Sequence, residues 1–254
     1  MPAQAGVHFV LSYRVPGPVA AIEGRGNGGR GGSEVEPGRR LLEIYRRLPD
    51  AFGPQGWWPA RDDFEMAVGA ILTQSTAWVN VEKAIANLRS AGLLGPAALH
   101  AVPERVLAEM IRPSGYYNAK ARKLKAFADH LMARHGGSLS ALFHVKLPDL
   151  RRELLSIWGI GPETADSIVL YGARQPVFVV DAYTRRILSR LALAPADASY
   201  ERLQRLFMEN LPESTPLFQE YHALLVALDK GICRATPVCH RCPLRALCPG
   251  VAPN

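Results

Sequence analysis

The sequence contains no run of about 18 apolar residues, the minimum for a helix that crosses a bilayer. Its N-terminus also lacks a basic segment followed by an apolar stretch and a small-residue cleavage site, the layout of a secretory signal. From these two absences the expectation is a soluble, cytoplasmic chain without a membrane partner. Cysteine is absent before position 233, and all four cysteines fall between Cys233 and Cys248. Such clustering argues against a disulfide framework and for a metal centre in the tail. Sustained period-two alternation is also scarce, which removes the main signal for a sheet.

What is present is basic, apolar and helical. Lys plus Arg number 30 against 23 Asp plus Glu, a formal charge of +7 that suits a polyanionic partner better than an acidic one. Residues 1–38, with "GRGNGGRGG" and several prolines, cannot bury enough apolar surface to offset their ordering entropy and read as a disordered leader. Within it, "VHFVLSYRV" has the composition of an edge strand and is the competing reading. From "RRLLEIYRRL" onward, apolar residues recur at spacings of three and four. In "RDDFEMAVGAILTQ", Phe64, Ala67, Val68, Ile71 and Leu72 share one face, and Asp62 or Asp63 stands where a cap belongs. "STAWVNVEKAIANLRSAG", "NAKARKLKAFADHLMARHGG" and "LPDLRRELLSI" repeat the pattern with glycine stops and a first-turn proline. "QPVFVV" has β composition but no partner strand, and is read as an extended connector.

"ELLSIWGIGPETADSIVLYG" reads as helix, tight turn and second helix opened by Pro162. Gly159 and Gly161 are free to take positive φ and to leave backbone N–H groups exposed at a helix start, which suits a phosphate. With Ile160 between them, such a turn can grip a nucleic-acid backbone without reading sequence. Asp181 follows the apolar "PVFVV" and precedes "AYTRRILSRL", so it stands at a helix N-terminus, as an N-cap, a charged functional group or both. Cys233, Cys239, Cys242 and Cys248 are spaced C-x5-C-x2-C-x5-C, and four thiolates this close can enclose a [4Fe–4S] cluster or a tetrahedral zinc.

In this order, over roughly residues 40–250, these segments resemble the helix-hairpin-helix DNA glycosylases of the endonuclease III superfamily. The resemblance implies an all-α, two-lobed fold. One lobe, 62–181, carries the helix-hairpin-helix at about 151–172; the other combines 39–61 with 182–254 and holds a four-cysteine cluster loop at 233–248. It implies that Asp181 is the catalytic carboxylate, stabilising the oxocarbenium-like sugar as a base departs or orienting water at C1′. It also implies backbone contacts from Gly159, Ile160, Gly161 and Thr164, and favours [4Fe–4S] over zinc, although the first cysteine interval is one residue shorter than the family's usual.

Bifunctional members carry a lysine where this sequence has Glu163, and a carboxylate cannot form the Schiff base on which their strand cleavage depends. Segments "QGWWPARDDFEMAVGAILTQSTAW" and "IRPSGYYNAKARKLK" look like the 3-methyladenine branch, in which an acid at this position faces an aromatic pocket. By that match Trp57, Trp58 and Trp78 surround the extruded base, where stacking suits a cationic alkylated purine. Glu163 as a helix-end acid and the tryptophans as core anchors are the plainer alternatives. The match places Gln74 in the space an extruded base leaves, the other reading being a polar helix end. Lys120, Arg122, Lys123 and Lys125 form a basic run that meets phosphates or is simply a solvated face.

The expectation is therefore a monomeric base-excision glycosylase acting on double-stranded DNA with a damaged base, nucleoid-associated through that binding. It would be monofunctional, with alkylated purines such as 3-methyladenine as substrates. The rivals are an endonuclease III-like enzyme for oxidised pyrimidines or mismatches, and a non-catalytic DNA-damage binder.

Overall fold

The structure, a computed structural model, describes residues 36–250, which lie in one compact unit. The leader therefore falls outside the described residues, apart from Glu36 and the first helical residues Pro37 and Gly38. Helices α1 (Pro37–Phe52), α2 (Asp63–Leu72), α3 (Trp78–Ser90), α4 (Pro96–Ala101) and α5 (Glu104–Met110) come first. They are followed by α6 (Tyr117–His135), α7 (Leu139–Phe143), α8 (Leu147–Ser156) and α9 (Pro162–Ser167). Finally come α10 (Ala182–Arg190), α11 (Tyr200–Met208) and α12 (Thr215–Leu228). Among the described residues there is no strand, and "QPVFVV" has no regular secondary structure.

Helix α2 is the centre of one group. It packs on α3, α6, α9 and the π-helical stretch Ile168–Gly172, while α4 and α5 lie on α6 and α8 lies on α9. Asp62 caps α2, accepting from the Glu65 backbone N–H at 2.8 Å. The sequence pattern marked a single apolar face here, but every residue from Phe64 to Leu72 is buried. Glu65 survives inside because Arg89 of α3 reaches its carboxylate at 2.6 Å. In the second group, α1 packs on α11 and α12, and α10 packs on α12. Gly38 lets α1 close on the end of α11, since a Cβ there would stand 2.6 Å from the Asn210 carbonyl oxygen. The groups meet where Ile168–Gly172 touches both α2 and α12.

The fully buried Asp166 ties the hairpin helix to this junction. It receives both arms of Arg151 of α8, at 2.7 and 3.1 Å, the Tyr200 hydroxyl at 2.8 Å and Gln204 at 2.7 Å. A buried carboxylate with so many donors is fully satisfied, and losing any one donor strands charge in the core.

Candidate active site and nucleic-acid interface

Asp181 opens α10 and accepts from the Thr184 backbone N–H at 2.7 Å, so the capping role is real. The cap uses one oxygen. The other, Oδ2, faces Nε2 of His222 on α12 at 3.4 Å, an ion-pair distance rather than a hydrogen bond. Burial alone would raise the Asp181 pKa, but His222 and the Thr184 donor outweigh it and hold the carboxyl below its ordinary value. His222 is itself buried, and its Nδ1 lies 2.7 Å from the Tyr171 hydroxyl. The result is a chain of contacts from Tyr171 through His222 to Asp181.

Glu163, in the first turn of α9, is open to solvent yet close enough to Asp181 to sense its charge. Desolvation first, then the Asp181 charge, push its carboxyl up to about 6, with His222 opposing. The pKa values of two carboxyl groups that sense each other are thereby pushed apart, Asp181 down and Glu163 up, while both stay largely ionised near neutral pH.

The three tryptophans connect to Asp181 through His222 and Tyr171. Trp58 meets Trp57 edge-on at 6.1 Å, Trp78 edge-on at 5.5 Å and Tyr171 at 5.3 Å. Trp57 also meets the His222 ring at 5.9 Å. Gly69 of α2 gives the indoles room, since a Cβ there would lie 3.3 Å from Trp58 Nε1 and 3.6 Å from Trp78 Cη2. All three are part-buried and packed against the core, so their anchoring role accompanies whatever else they do. Trp58 Nε1 is buried without a hydrogen-bond partner, an unused donor in this aromatic cluster.

At the hairpin, Gly159 has φ +83, and its missing Cβ makes room for the Lys123 stem; a Cβ would meet Lys123 Cγ at 2.4 Å. Gly161 departs from expectation: with φ −93 and ψ 178 it is an ordinary extended N-cap of α9, and only the first glycine needs positive φ. Ile160 is buried between them, and Trp158 is 56% exposed with the Arg122 guanidinium 5.4 Å from its ring centroid. Gln74 is seated on the hairpin, its amide nitrogen donating to the Gly159 carbonyl at 3.2 Å and to Thr164 Oγ1 at 2.9 Å, while Lys123 Nζ donates to its oxygen.

The basic run does not form one face. Lys120 is buried, donating to the carbonyls of Leu72 at 2.9 Å and Ser114 at 2.6 Å, and burial followed by the Lys123 charge lowers its pKa to about 8. It is a structural tie, not a phosphate contact. Lys125 donates to carbonyls at the end of α4, from Leu99, His100 and Val102. Only Arg122 and Lys123 of the four are directed at the hairpin.

Several residues at the site carried no local sequence signal. His222 and Tyr171 lie inside apolar helical runs and gain meaning only from their contacts. Lys230 has its ammonium 6.0 Å from the Trp57 ring centroid and 5.8 Å from that of Tyr183. Tyr116, 75% exposed with φ +46, follows a turn that Lys120 fastens to the end of α2.

The four cysteines are free and half-buried. Arg190 of α10 binds their loop at four points: the Cys233 carbonyl at 2.6 Å, Cys233 Sγ at 3.3 Å, and the carbonyls of Arg234 and Ala235 at 2.9 and 3.1 Å. Arg186 grips Asp229, just before the loop, at 2.8 and 3.0 Å. The helix that Asp181 opens is thus the one on which the cysteine loop rests.

An all-helical body with a glycine hairpin, and a largely buried carboxylate capping a helix near a second acid, suits an enzyme that holds a nucleic acid while it acts on it. Comparison with known proteins agrees. Residues 68–213 match the HhH-GPD superfamily of base excision DNA repair proteins. A candidate DNA repair glycosylase of Methanocaldococcus jannaschii is 44% identical over 209 residues, 82% of this chain and 95% of that protein. Endonuclease III of Thermotoga maritima is 28% identical over 188 residues, covering 74% and 83%. Among solved structures, 3-methyladenine DNA glycosylase of H. pylori, bound to 1,N6-ethenoadenine, superposes with a TM-score of 0.65 at 28% identity, covering 77% of this chain and 98% of that one. A trapped endonuclease III–DNA covalent intermediate gives 0.73 at 23% identity, covering 84% and 96%, a likeness of fold. The chain belongs to the HhH-GPD superfamily of base excision DNA repair proteins, and its enzyme class is DNA glycosylase.

Proposed function

We propose that this glycosylase is monofunctional and removes alkylated purines such as 3-methyladenine from double-stranded DNA. One observation carries the reading: the carboxylate Glu163, not an amine, is electrostatically coupled to Asp181, which His222 joins to the aromatic cluster of Trp57, Trp58, Trp78 and Tyr171. A cationic alkylated base is drawn both to indole faces and to a carboxylate. The reading is also supported by the likeness to the H. pylori 3-methyladenine enzyme.

In this scheme the damaged base is flipped out of the duplex toward the aromatic cluster. The C1′–N bond breaks, its electron pair leaves with the base, and the sugar becomes oxocarbenium-like. Asp181, kept ionised by His222 and the Thr184 N–H, stabilises that positive charge. Water then adds to C1′ and its proton passes to the Asp181 carboxylate, which returns it to solvent. Glu163 complements the base edge. Gly159, Ile160, Gly161 and Thr164 meet the DNA backbone, and Gln74, supported by the hairpin, faces the gap left by the base. The enzyme acts as a monomer.

Cys233, Cys239, Cys242 and Cys248 suit a [4Fe–4S] cluster, zinc being the alternative. The donor set fits: four unpaired thiols, of which Cys233 and Cys242 are pushed up by burial and by neighbouring cysteine charges, which a bound cationic centre would reverse. The cluster would fix the loop against α10 and present Arg234, Arg241 and Arg245 toward phosphates.

A second reading, glycosylase with strand cleavage, is favoured by one feature, the Lys230 amine against Trp57 and Tyr183. Duplexes with one defined lesion each, an alkylated purine, an oxidised pyrimidine and a mismatch, separate the readings. Strand breaks that need alkali and occur on the alkylated duplex are expected. Alkali-independent breaks on the oxidised pyrimidine would refute the proposal and point to Lys230. No release from any duplex would favour a non-catalytic damage binder.

A further inference from the structure

Away from the aromatic cluster, His130 and His135 of α6 and Glu153 of α8 turn three ligand atoms toward one point, all within 4.8 Å of one another. Both imidazole Nε2 atoms reach the same carboxylate oxygen, Oε1, at 2.8 Å from His130 and 2.6 Å from His135. The side chains are 13–19% exposed, shielded yet reachable by a small ion. We propose that His130, His135 and Glu153 form a binding site for a divalent cation of the zinc type, bridging α6 and α8.

The ligand chemistry selects the ion. Two imidazole nitrogens and one carboxylate oxygen suit zinc and its borderline neighbours, whereas magnesium and calcium require shells of oxygen. Three protein ligands leave a fourth tetrahedral position for water. Bonds of about 2.0–2.1 Å to a tetrahedral centre set ligand atoms about 3.3 Å apart, so the two contacts widen by roughly half an ångström as the ion enters. Each imidazole then offers its Nε2 lone pair and keeps its proton on Nδ1.

The backbone holds the site ready. His135 ends α6, where Gly136 takes the left-handed conformation and the N–H groups of Gly136 and Gly137 both return to the Leu131 carbonyl. Placing a cation at this helix C-terminus is also favoured by the helix dipole. Glu153 lies one turn before the end of α8, which runs straight into the Gly159 hairpin. Occupancy would therefore brace the helix that leads into the DNA-binding turn against α6.

The test uses the full chain with its four-cysteine loop already loaded, so that added metal reports on other sites. Zinc chloride titrated calorimetrically should bind with one equivalent, and Glu153→Gln and His130→Gln should each weaken that binding at least tenfold. The melting temperature should rise by roughly 5–10 °C when zinc exceeds Kd about a hundredfold, in the parent and not in the variants. Cobalt(II) requires no variant to fold: the expected spectrum has weak ligand-field bands without sulfur-to-cobalt charge transfer. No uptake by the parent, uptake equal in the variants, or cobalt bands of thiolate character would overturn the proposal.

Discussion

Replacing Glu163 by Gln should make the protein more stable at neutral pH while damaging its activity. The cause is the carboxyl of Glu163, whose pKa moves from 4.5 to about 6 because it is desolvated and senses the Asp181 charge. The folded state therefore binds the Glu163 proton more tightly than the unfolded state does. Below about pH 4.5 both states hold the proton and there is no penalty. As pH rises through 4.5 and then 6, the unfolded chain ionises first, and folding stability is lost. The full difference corresponds to about 2 kcal/mol, and since the carboxylate is open to solvent, screening reduces this to roughly 1 kcal/mol. Glutamine keeps the shape and cannot ionise. Urea unfolding of parent and variant at about pH 4.5 and pH 8 should give nearly equal stabilities at the lower pH and a variant about 1 kcal/mol more stable at the higher. The shared cysteine loop cancels in the difference. A gap independent of pH, or a variant less stable at pH 8, would refute the desolvation of Glu163 and its coupling to Asp181. Release of alkylated purine should fall in the same variant.

Other substitutions probe the remaining contacts. Asp181→Asn keeps a good helix cap, so the fold should survive while single-turnover base release drops by about 10²–10³. His222→Gln should slow release less and move the acid limb of the pH–rate profile to higher pH, because the partner holding Asp181 ionised is gone. Lys120→Met strands the carbonyls of Leu72 and Ser114 and should cost about 2–3 kcal/mol in denaturant unfolding, a loss that a mere phosphate contact would not produce. Gly159→Ala forces a Cβ into the Lys123 stem at positive φ, and should weaken duplex binding along with a stability loss of about 1–2 kcal/mol.

Local chemistry made much of this protein readable in one dimension. Apolar spacing of three and four can be satisfied only by helices, and the scarcity of alternation left no sheet to build. Gly159 with Pro162 announces a turn between helices, because it depends on residues close in sequence. Asp181 was legible for the same reason, as the polar residue between an extended apolar run and a helix. Distance in sequence hid the rest. That α2 is buried on every side depends on α3, α6 and α9 closing around it, and Glu65 is tolerated only through Arg89. Lys120 looked like one basic residue among four until the end of α2 and Ser114 supplied its acceptors. Gly161 shares its residue type with Gly159, yet the cap geometry of α9 uses it in an ordinary conformation. His222, Tyr171 and Lys230 meet Asp181 and the tryptophans from separate elements, as His130 and His135 meet Glu153 across two helices. Electrostatics acts through space, so the charge states of Asp181 and Glu163 belong to the tertiary structure and not to either residue's neighbours along the chain.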